Sequence, residues 1–321
     1  MGAERSGIKR LNGGINNQVF LCTQGSSNWV LKGFPETRNG QTDRMKAEVE
    51  FLEFAEDIAP SFTPRLYHAD WERRYIVQEF IEGDAFTPGA KPSQESVQAA
   101  ADFYKKINSN HQLAKHKIKQ NACDGHASLR MHIQDARKRL NKLYQTQLDK
   151  NTESVAKKVL NSLRSDFEKV KIETENLIGK GKVLDEIPTA ELCISPSDFG
   201  FHNAIQRPEN ICFIDFEYAG WDDPAKTVVD FALQPKVPVL EMSTHLLKAA
   251  ESISQADIGK RCIALKPILR VKWACIILSV LNTDRAKDVL TIVGDIGYEE
   301  LISTRLQAAE AFMEKTDNLS F

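Results

Sequence analysis

The sequence predicts an α+β chain in two lobes, a small β-rich N-terminal lobe over residues 1–82 and a larger, mainly helical C-terminal lobe over residues 83–321. Three observations carry this. Short apolar runs separated by Gly and Asn turns fill the first third of the chain. After Gly83 the apolar spacing changes to a helical period. Between the two regimes lies a stretch with Pro88, Gly89 and Pro92, which reads as a linker.

The elements follow in order. Runs at 18–22, 29–34 and 75–81 predict three strands of one small sheet. Before the third strand, Thr42 is placed to cap a helix whose Met45, Val49, Leu52 and Ala55 recur at i, i+4, i+7 and i+10, so one helix packs on that sheet. Beyond the linker at 84–94, Val97, Ala100, Ala101, Tyr104 and Ile107 form one helical stripe, and Leu129, Ile133, Ala136, Leu140 and Leu143 form another. Arg137, Lys138 and Arg139 fall on the polar side of the second stripe, where solvated charge is expected. A late stripe of Trp273, Ile276, Ile277 and Val280 reads as core, with Trp273 in reach of a ligand pocket.

Composition excludes several classes. The 42 Lys and Arg against 44 Asp and Glu leave a formal net charge of -2, so no basic field gathers nucleic acid. A 42% hydrophobic and 27% charged composition excludes wholesale disorder. The six cysteines form no C-x-x-C pair and predict reduced thiols of a cytoplasmic protein rather than a disulfide framework or a zinc ribbon. Cys123, His126 and His132 match no standard metal-ligand spacing and read as a polar loop entering a helix. The N-terminus lacks a signal-type apolar segment, and the late run at 273–281 is far short of the ~20 residues that span a bilayer, so no membrane span is expected.

Chemistry concentrates in Asp198, Asn203 and Asp215. The first two stand at D-x4-N spacing; an apolar strand then follows a turn of Pro208, Glu209 and Asn210 and ends in Asp215. In-line transfer of a phosphoryl group from ATP needs a carboxylate beside the attacking hydroxyl and hard oxygen ligands for the magnesium on the β- and γ-phosphates. Asp198 fits the first role as catalytic base, and Asn203 and Asp215 fit the second as metal ligands. Asp198, Phe199 and Gly200 also spell the metal motif of protein kinases. That register needs a D-x4-N loop upstream, and the nearest candidate, Asp185, meets Ala190 where the asparagine should stand.

At the front end, Gly13 and Gly14 make a turn ahead of a strand, suited to bring backbone N–H groups over phosphates. Lys32 lies on the next apolar strand, where a lysine needs a partner. The helix supplies one: at about 100° per residue, Glu48 falls about 45° from the centre of the Met45 stripe, whereas Glu50 points almost opposite. A Lys32–Glu48 pair would hold the lysine toward the α- and β-phosphates.

On these residues the sequence resembles the aminoglycoside phosphotransferase and choline kinase superfamily, small-molecule kinases with a protein-kinase-like fold, from Leu11 to about Phe231. Leu11, Gly13, Gly14, Asn17 and Phe20 are similar to its glycine-rich front motif, and Lys32 and Glu48 to its lysine and helix glutamate. The stretch at 75–83 resembles its hinge, which implies adenine contacts from the Glu79 carbonyl and the Ile81 amide. Asp198 and Asn203 match its catalytic loop, while Ile214, Asp215, Phe216 and Glu217 match its metal motif. Asp230 fits the downstream aspartate that steadies this region. Pro196 departs from the pattern: the family has a histidine there that braces the loop through hydrogen bonds, so Pro196 must act by fixing backbone geometry. The resemblance implies transfer of the γ-phosphoryl group of Mg-ATP to a hydroxyl of a small molecule, in a cleft between the lobes.

For the acceptor, Glu217, Asp222 and Asp223 lie just past the metal strand, where acids would take hydrogen bonds from hydroxyl or ammonium groups. That ranks a sugar, amino sugar or aminoglycoside first. A choline or ethanolamine acceptor is the alternative and needs an aromatic cage. Tyr218, Trp221 and Trp273 could contribute to one, but Phe216 is placed by its motif to pack in the core, which leaves the cage incomplete. The stretch from Trp221 to Asp223 reads equally as a turn, and His202 reads as a structural hydrogen-bonding residue. A competing class is a non-catalytic, nucleotide-binding pseudokinase, motivated by Pro196 and opposed by the intact Asp198, Asn203, Asp215 and Lys32. A protein kinase is opposed by the lack of an activation-segment motif after Asp215.

Overall fold

In the computed structural model, which describes residues 6–11, 17–37, 42–148, 150–293, 296–317 and 319, the N-terminal strands form one antiparallel sheet. Its members are β1 (Ser6–Arg10), β2 (Gln18–Gln24), β3 (Ser27–Gly33), β4 (Leu66–Asp70) and β5 (Tyr75–Glu79), in the order β1-β2-β3-β5-β4. The three strands expected from the sequence are the inner three. The two additional ones, β1 and β4, are the edges. Edge strands facing water need no run of apolar residues to hold them, and Ile8 of β1 is 77% exposed.

Helix α1 (Arg44–Ile58) covers this sheet with Met45, Val49, Leu52 and Ala55 all buried. Its cap is Asp43 rather than Thr42. The Asp43 carboxylate accepts from the Lys46 amide at 3.2 Å and pairs with Arg74 at 2.8 Å, so one side chain both caps the helix and ties it to the β4–β5 turn. Thr42 stands one residue too early to do either.

The remainder is mainly helical. It comprises β6 (Asp84–Ala85), α2 (Gln94–Ile107), α3 (His111–Lys117), α4 (Leu129–Tyr144), α5 (Lys150–Gly179), β7 (Cys193–Ser195), β8 (Ala204–Gln206), β9 (Ile211–Phe213), β10 (Gly220–Asp222) and α6 (Pro224–Leu233), then α7 (Thr244–Ile253), α8 (Ile258–Ile277), α9 (Thr283–Val293) and α10 (Tyr298–Asp317). The stripes expected on α2 and α4 are buried throughout. The linker at 84–94 holds more order than its composition suggested, because β6 pairs with β8 and Ser93 caps α2. Gly83 makes that crossing possible: a Cβ there would stand 2.3 Å from the Gln206 carbonyl oxygen. On α8 the expected stripe is not the deepest face, since Trp273 and Ile276 are half-buried while Val271, Lys272, Ala274 and Cys275 are buried. Helix α6 is buried at every position.

Phenylalanines join these parts. Phe51 of α1 stacks on Phe216 at 4.3 Å, and Phe103 of α2 stacks on Phe213 at 4.9 Å. Phe199 meets Phe213 at 5.1 Å and Phe231 of α6 at 5.0 Å. Burying such rings contributes about 1.5–3 kcal/mol each, and two of them directly follow Asp198 and Asp215 in sequence. The core therefore anchors both functional loops by the adjacent residue. Among the described residues, no helix is long and apolar enough to cross a membrane.

Candidate active site

A short hairpin explains how residues twelve apart in sequence come to share a site. Strand β8 pairs with β9 through a turn closed by the Arg207 amide on the Asn210 carbonyl at 2.8 Å, the turn expected at Pro208 to Asn210. Asn203 precedes β8 and Asp215 follows β9. The Ile214 amide donates to the Asn203 carbonyl at 2.9 Å, so both side chains leave the same end of the hairpin. Asp215 has φ 68°, a conformation sparse for residues with a side chain but tolerated by aspartate, and this turns the chain out of the strand.

Asp198 lies in the loop between β7 and β8. Asn203 Nδ2 donates to its carbonyl at 3.0 Å and approaches its Oδ2 at 3.3 Å. On the other carboxylate oxygen, His202 Nε2 stands 3.1 Å from Oδ1. Burial raises the pKa of Asp198, but the His202 bond and charge, the Lys236 charge and the Asn203 bond outweigh it and hold the carboxyl below its usual range. The loop is braced without a histidine at Pro196. Ser197 adopts φ 65°, its amide donates to Ser195 Oγ at 3.0 Å, and its hydroxyl donates to the Cys123 carbonyl at 3.2 Å. Thr227 of α6 in turn donates to Ser195 Oγ at 2.9 Å, and Asn108 hydrogen-bonds both backbone groups of Ile194. Side-chain bonds from Ser195, Thr227 and Asn108 thus support what the proline alone was expected to fix.

Across from these loops, Lys32 on β3 is 4% exposed and forms ion pairs with Glu48 of α1 and with Asp215, the latter at 2.5 Å. Burial disfavours its ammonium, yet the charges of Asp215, Glu48 and Glu217 more than compensate and raise its pKa. Burial also pushes Glu48 up to about 7, with Lys32 opposing. Glu217 is raised by burial and by the neighbouring Asp215. Three carboxyl groups thus gather about one ammonium, and part of the rise in Glu48 and Glu217 is repulsion by Asp215, which a bound cation would relieve.

The acids expected at the acceptor mouth are each engaged within the protein. Glu217 accepts from Asn17 Nδ2 and acts on Lys32. Asp222 is 1% exposed and paired with Lys226 at 2.6 Å. Asp223 is 0% exposed and paired with Arg261 at 2.5 Å, while its other oxygen caps α6 at the Ala225 amide. Neither oxygen set is open to a ligand, because each buried cation of the C-terminal part requires its own counter-charge. Asp230 completes this network with Lys272 at 3.0 Å and Trp273 Nε1 at 2.8 Å. Burial disfavours its carboxylate, but Lys272 and Lys226 hold its pKa down to about 2.

The aromatic residues are each engaged within the protein. Trp221 donates its indole N–H to the Ile118 carbonyl, Arg44 covers the Tyr218 ring at 5.2 Å, and Phe216 is in the core as expected. Gly13 and Gly14 lie outside the described residues; Asn17 is buried against Glu217. At the hinge, the Glu79 amide donates to the Arg65 carbonyl at 2.9 Å, and the Ile81 amide makes no backbone hydrogen bond among the described residues. An open groove of about 920 Å³ between α5, α8 and α10, lined by residues such as Leu163, Pro267 and Met313, contains none of these side chains. Sequence reasoning did not assign Gln234 and Lys236, which reach the site only through folding. The signal available beforehand was limited to the histidine at 202.

A model of the Phosphotransferase enzyme family (APH) matches residues 7–233. No curated protein sequence matches the chain. Among solved structures, a spectinomycin phosphotransferase in complex with ADP and spectinomycin is 10% identical, with a TM-score of 0.61 over 96% of this chain and 93% of that one. A Plasmodium vivax ethanolamine kinase is 15% identical, with a TM-score of 0.59 over 97% and 84%. A choline kinase from Streptococcus pneumoniae is 19% identical, with a TM-score of 0.56 over 96% and 93%. At these identities the shared property is the fold, which is bilobal and protein-kinase-like.

Proposed function

The chain belongs to the phosphotransferase enzyme family, and is thus a kinase-class enzyme with an alcohol group as acceptor; from this premise we propose that it transfers the γ-phosphoryl group of Mg-ATP to a hydroxyl of a small molecule. The observation that carries the reading is Lys32, held between Glu48 and the Asp215 carboxylate that shares a hairpin end with Asn203. One lysine is thereby placed beside the strand-end acid, as phosphate binding next to a metal requires.

In this reading Asp198 orients the acceptor hydroxyl and takes its proton, Lys32 with Glu48 holds the nucleotide phosphates, and Gly13, Gly14 and Asn17 cover them. Glu79 and Ile81 meet the adenine with their backbone groups. The lobes divide near Glu82. Asn203 and Asp215 would hold magnesium, and the donor set fits that ion. Magnesium takes one or two protein oxygens together with phosphate oxygens and water, so no cage of several acids is required, and a cation there would relieve the repulsion of Asp215 on Glu48 and Glu217. Bound there, the metal would neutralise charge on the β- and γ-phosphates.

The acceptor is a small hydroxylated molecule. Asp222 and Asp223, which ranked sugars first, are engaged in internal ion pairs, so that ranking loses most of its support. The test is a coupled assay of ATP consumption over sugars, amino sugars, aminoglycosides, homoserine, choline and ethanolamine, with wild type and Asp198→Asn. Transfer to one class, lost in the variant, is expected. Transfer only to protein substrates, or none to any member, would sink the proposal.

A further inference from the structure

His202 occupies a position that the structure makes unusually specific. Its side chain is 4% exposed, and Nε2 stands 3.1 Å from Asp198 Oδ1 and 3.1 Å from Gln234 Nε2. The Gln234 amide is itself oriented, because its Oε1 accepts from the Lys236 amide at 2.6 Å, leaving Nε2 toward the imidazole. An ionised carboxylate only accepts, so the imidazole donates to it from Nε2, and this charge-assisted bond leaves no lone pair on Nε2 for the Gln234 amide. Gln234 Nε2, itself a donor, then packs against that same nitrogen without hydrogen-bonding it.

The backbone is shaped around this ring. A Cβ on Gly200 would stand 2.9 Å from His202 Nδ1 and 3.0 Å from Gln234 Cγ, so glycine at 200 is what leaves the imidazole its place. The two oxygens of Asp198 are also treated differently. Oδ1 has the buried His202, whereas among the described residues Oδ2 has only the longer approach of Asn203 Nδ2 at 3.3 Å, and the side chain is 35% exposed. Meanwhile Pro196 has no side-chain donor and no backbone N–H with which to hold the carboxylate.

We propose that His202 is a positioning residue that pins Oδ1 of Asp198 and so presents Oδ2 to the acceptor hydroxyl, supplying from four residues downstream of Asp198 the side-chain hydrogen bond that Pro196 cannot. This rests on the assignment of Asp198 as the base. His202 acts through Asp198 and touches no reacting atom. A carboxylate held by a single hydrogen bond can rotate about its side-chain torsions, and displacement by about 1 Å costs on the order of 10²-fold in rate.

The experiment compares wild type, His202→Ala, His202→Gln and Asp198→Asn, and the double variant Asp198→Asn with His202→Ala. The acceptor is taken from the panel above, and Mg-ADP affinity is measured by calorimetry. His202→Ala is expected to lower kcat about 10- to 100-fold while KM for ATP and Mg-ADP affinity stay within about twofold. His202→Gln, whose amide nitrogen reaches a similar distance, restores most of the rate. In the Asp198→Asn background His202→Ala adds no further loss, since its effect passes through that carboxylate. An unchanged kcat in His202→Ala, a parallel loss of Mg-ADP affinity, or additive losses in the double variant would each overturn the proposal while leaving the kinase reading intact. If wild type phosphorylates no panel member, the kinase reading fails instead. Crystal structures of wild type and His202→Ala with Mg-ADP then decide the positioning role: a displaced Asp198 carboxylate in the variant supports it, and an unmoved one refutes it.

Discussion

Replacing Asp223 separates an internal clamp from a ligand-binding acid. Its carboxylate is fully buried, with Oδ2 on Arg261 Nε at 2.5 Å and Oδ1 on the Ala225 amide at 2.9 Å. Arg261 in turn donates to the Leu184 carbonyl at 2.7 Å and the Ala127 carbonyl at 2.6 Å, so the guanidinium cannot swing out to water without breaking both. Asp223→Ala leaves this cation buried without its counter-charge, which costs about 3–5 kcal/mol, and deletes the α6 cap for about 1 kcal/mol more. Unfolding entropy for 321 residues is about 0.7 kcal/mol/K near 60 °C, so a loss of about 5 kcal/mol lowers Tm by about 7 °C. Asp223→Asn keeps a cap acceptor but not the charge, and its Tm should lie about 1–2 °C above that of the alanine variant. Differential scanning calorimetry measures both, and steady-state kinetics at a temperature where each variant is folded gives KM for the acceptor. If Asp223→Ala melts within about 1 °C of wild type but raises the acceptor KM tenfold, then Asp223 faces the ligand and the buried clamp is wrong.

Three further outcomes follow from the geometry. Asp198→Asn should lower turnover by at least ~10²-fold with Mg-ADP affinity retained, because it removes proton acceptance without changing shape; a near-wild-type rate would refute the role of Asp198. Asp215→Asn tolerates the φ of 68° but carries no charge, so isothermal calorimetry should find the magnesium dependence of ATP binding abolished; a normal dependence would place the metal elsewhere. Burial raises Asp222 to about 6, with Lys226 opposing, so below that pH the folded state holds a proton that the unfolded state releases down to about 4. The stability contributed by this group therefore falls as pH rises from about 4 to about 6. Urea melts should show wild type losing stability relative to Asp222→Asn across that window, and a constant difference would contradict the assignment.

The parts of the fold legible in the sequence are those in which an apolar pattern has one way to be satisfied. Met45, Val49, Leu52 and Ala55 on α1, and the stripes of α2 and α4, could be assigned because a helix that buries one face repeats its apolar residues at that face's period. Strands β1 and β4 were not legible because their side chains largely meet water and no period is imposed on them. Helix α8 misled for the opposite reason: buried on most sides, it offers no single stripe, and its Trp273 is half-buried while the flanking Lys272 and Ala274 are buried.

At the site the dividing line is different. Lys32 and Glu48 could be paired from sequence because both carry charge at positions the secondary structure sends inward, and a charge sent inward needs a counter-charge. The same reasoning, applied to Asp222 and Asp223, would have required knowing that Lys226, one turn on along α6, and Arg261, near the start of α8, are buried beside them. Lys226 was within reach of such an argument, being four residues from Asp222 on a helix whose every position is buried. Arg261 was not, because thirty-eight residues and two helices separate it from Asp223 in the chain. An exposed-looking pair of acids after a catalytic motif therefore has to be weighed against the buried cations of the same lobe before it is offered to a substrate. Here the cations take both acids, and acceptor choice passes to side chains other than these two.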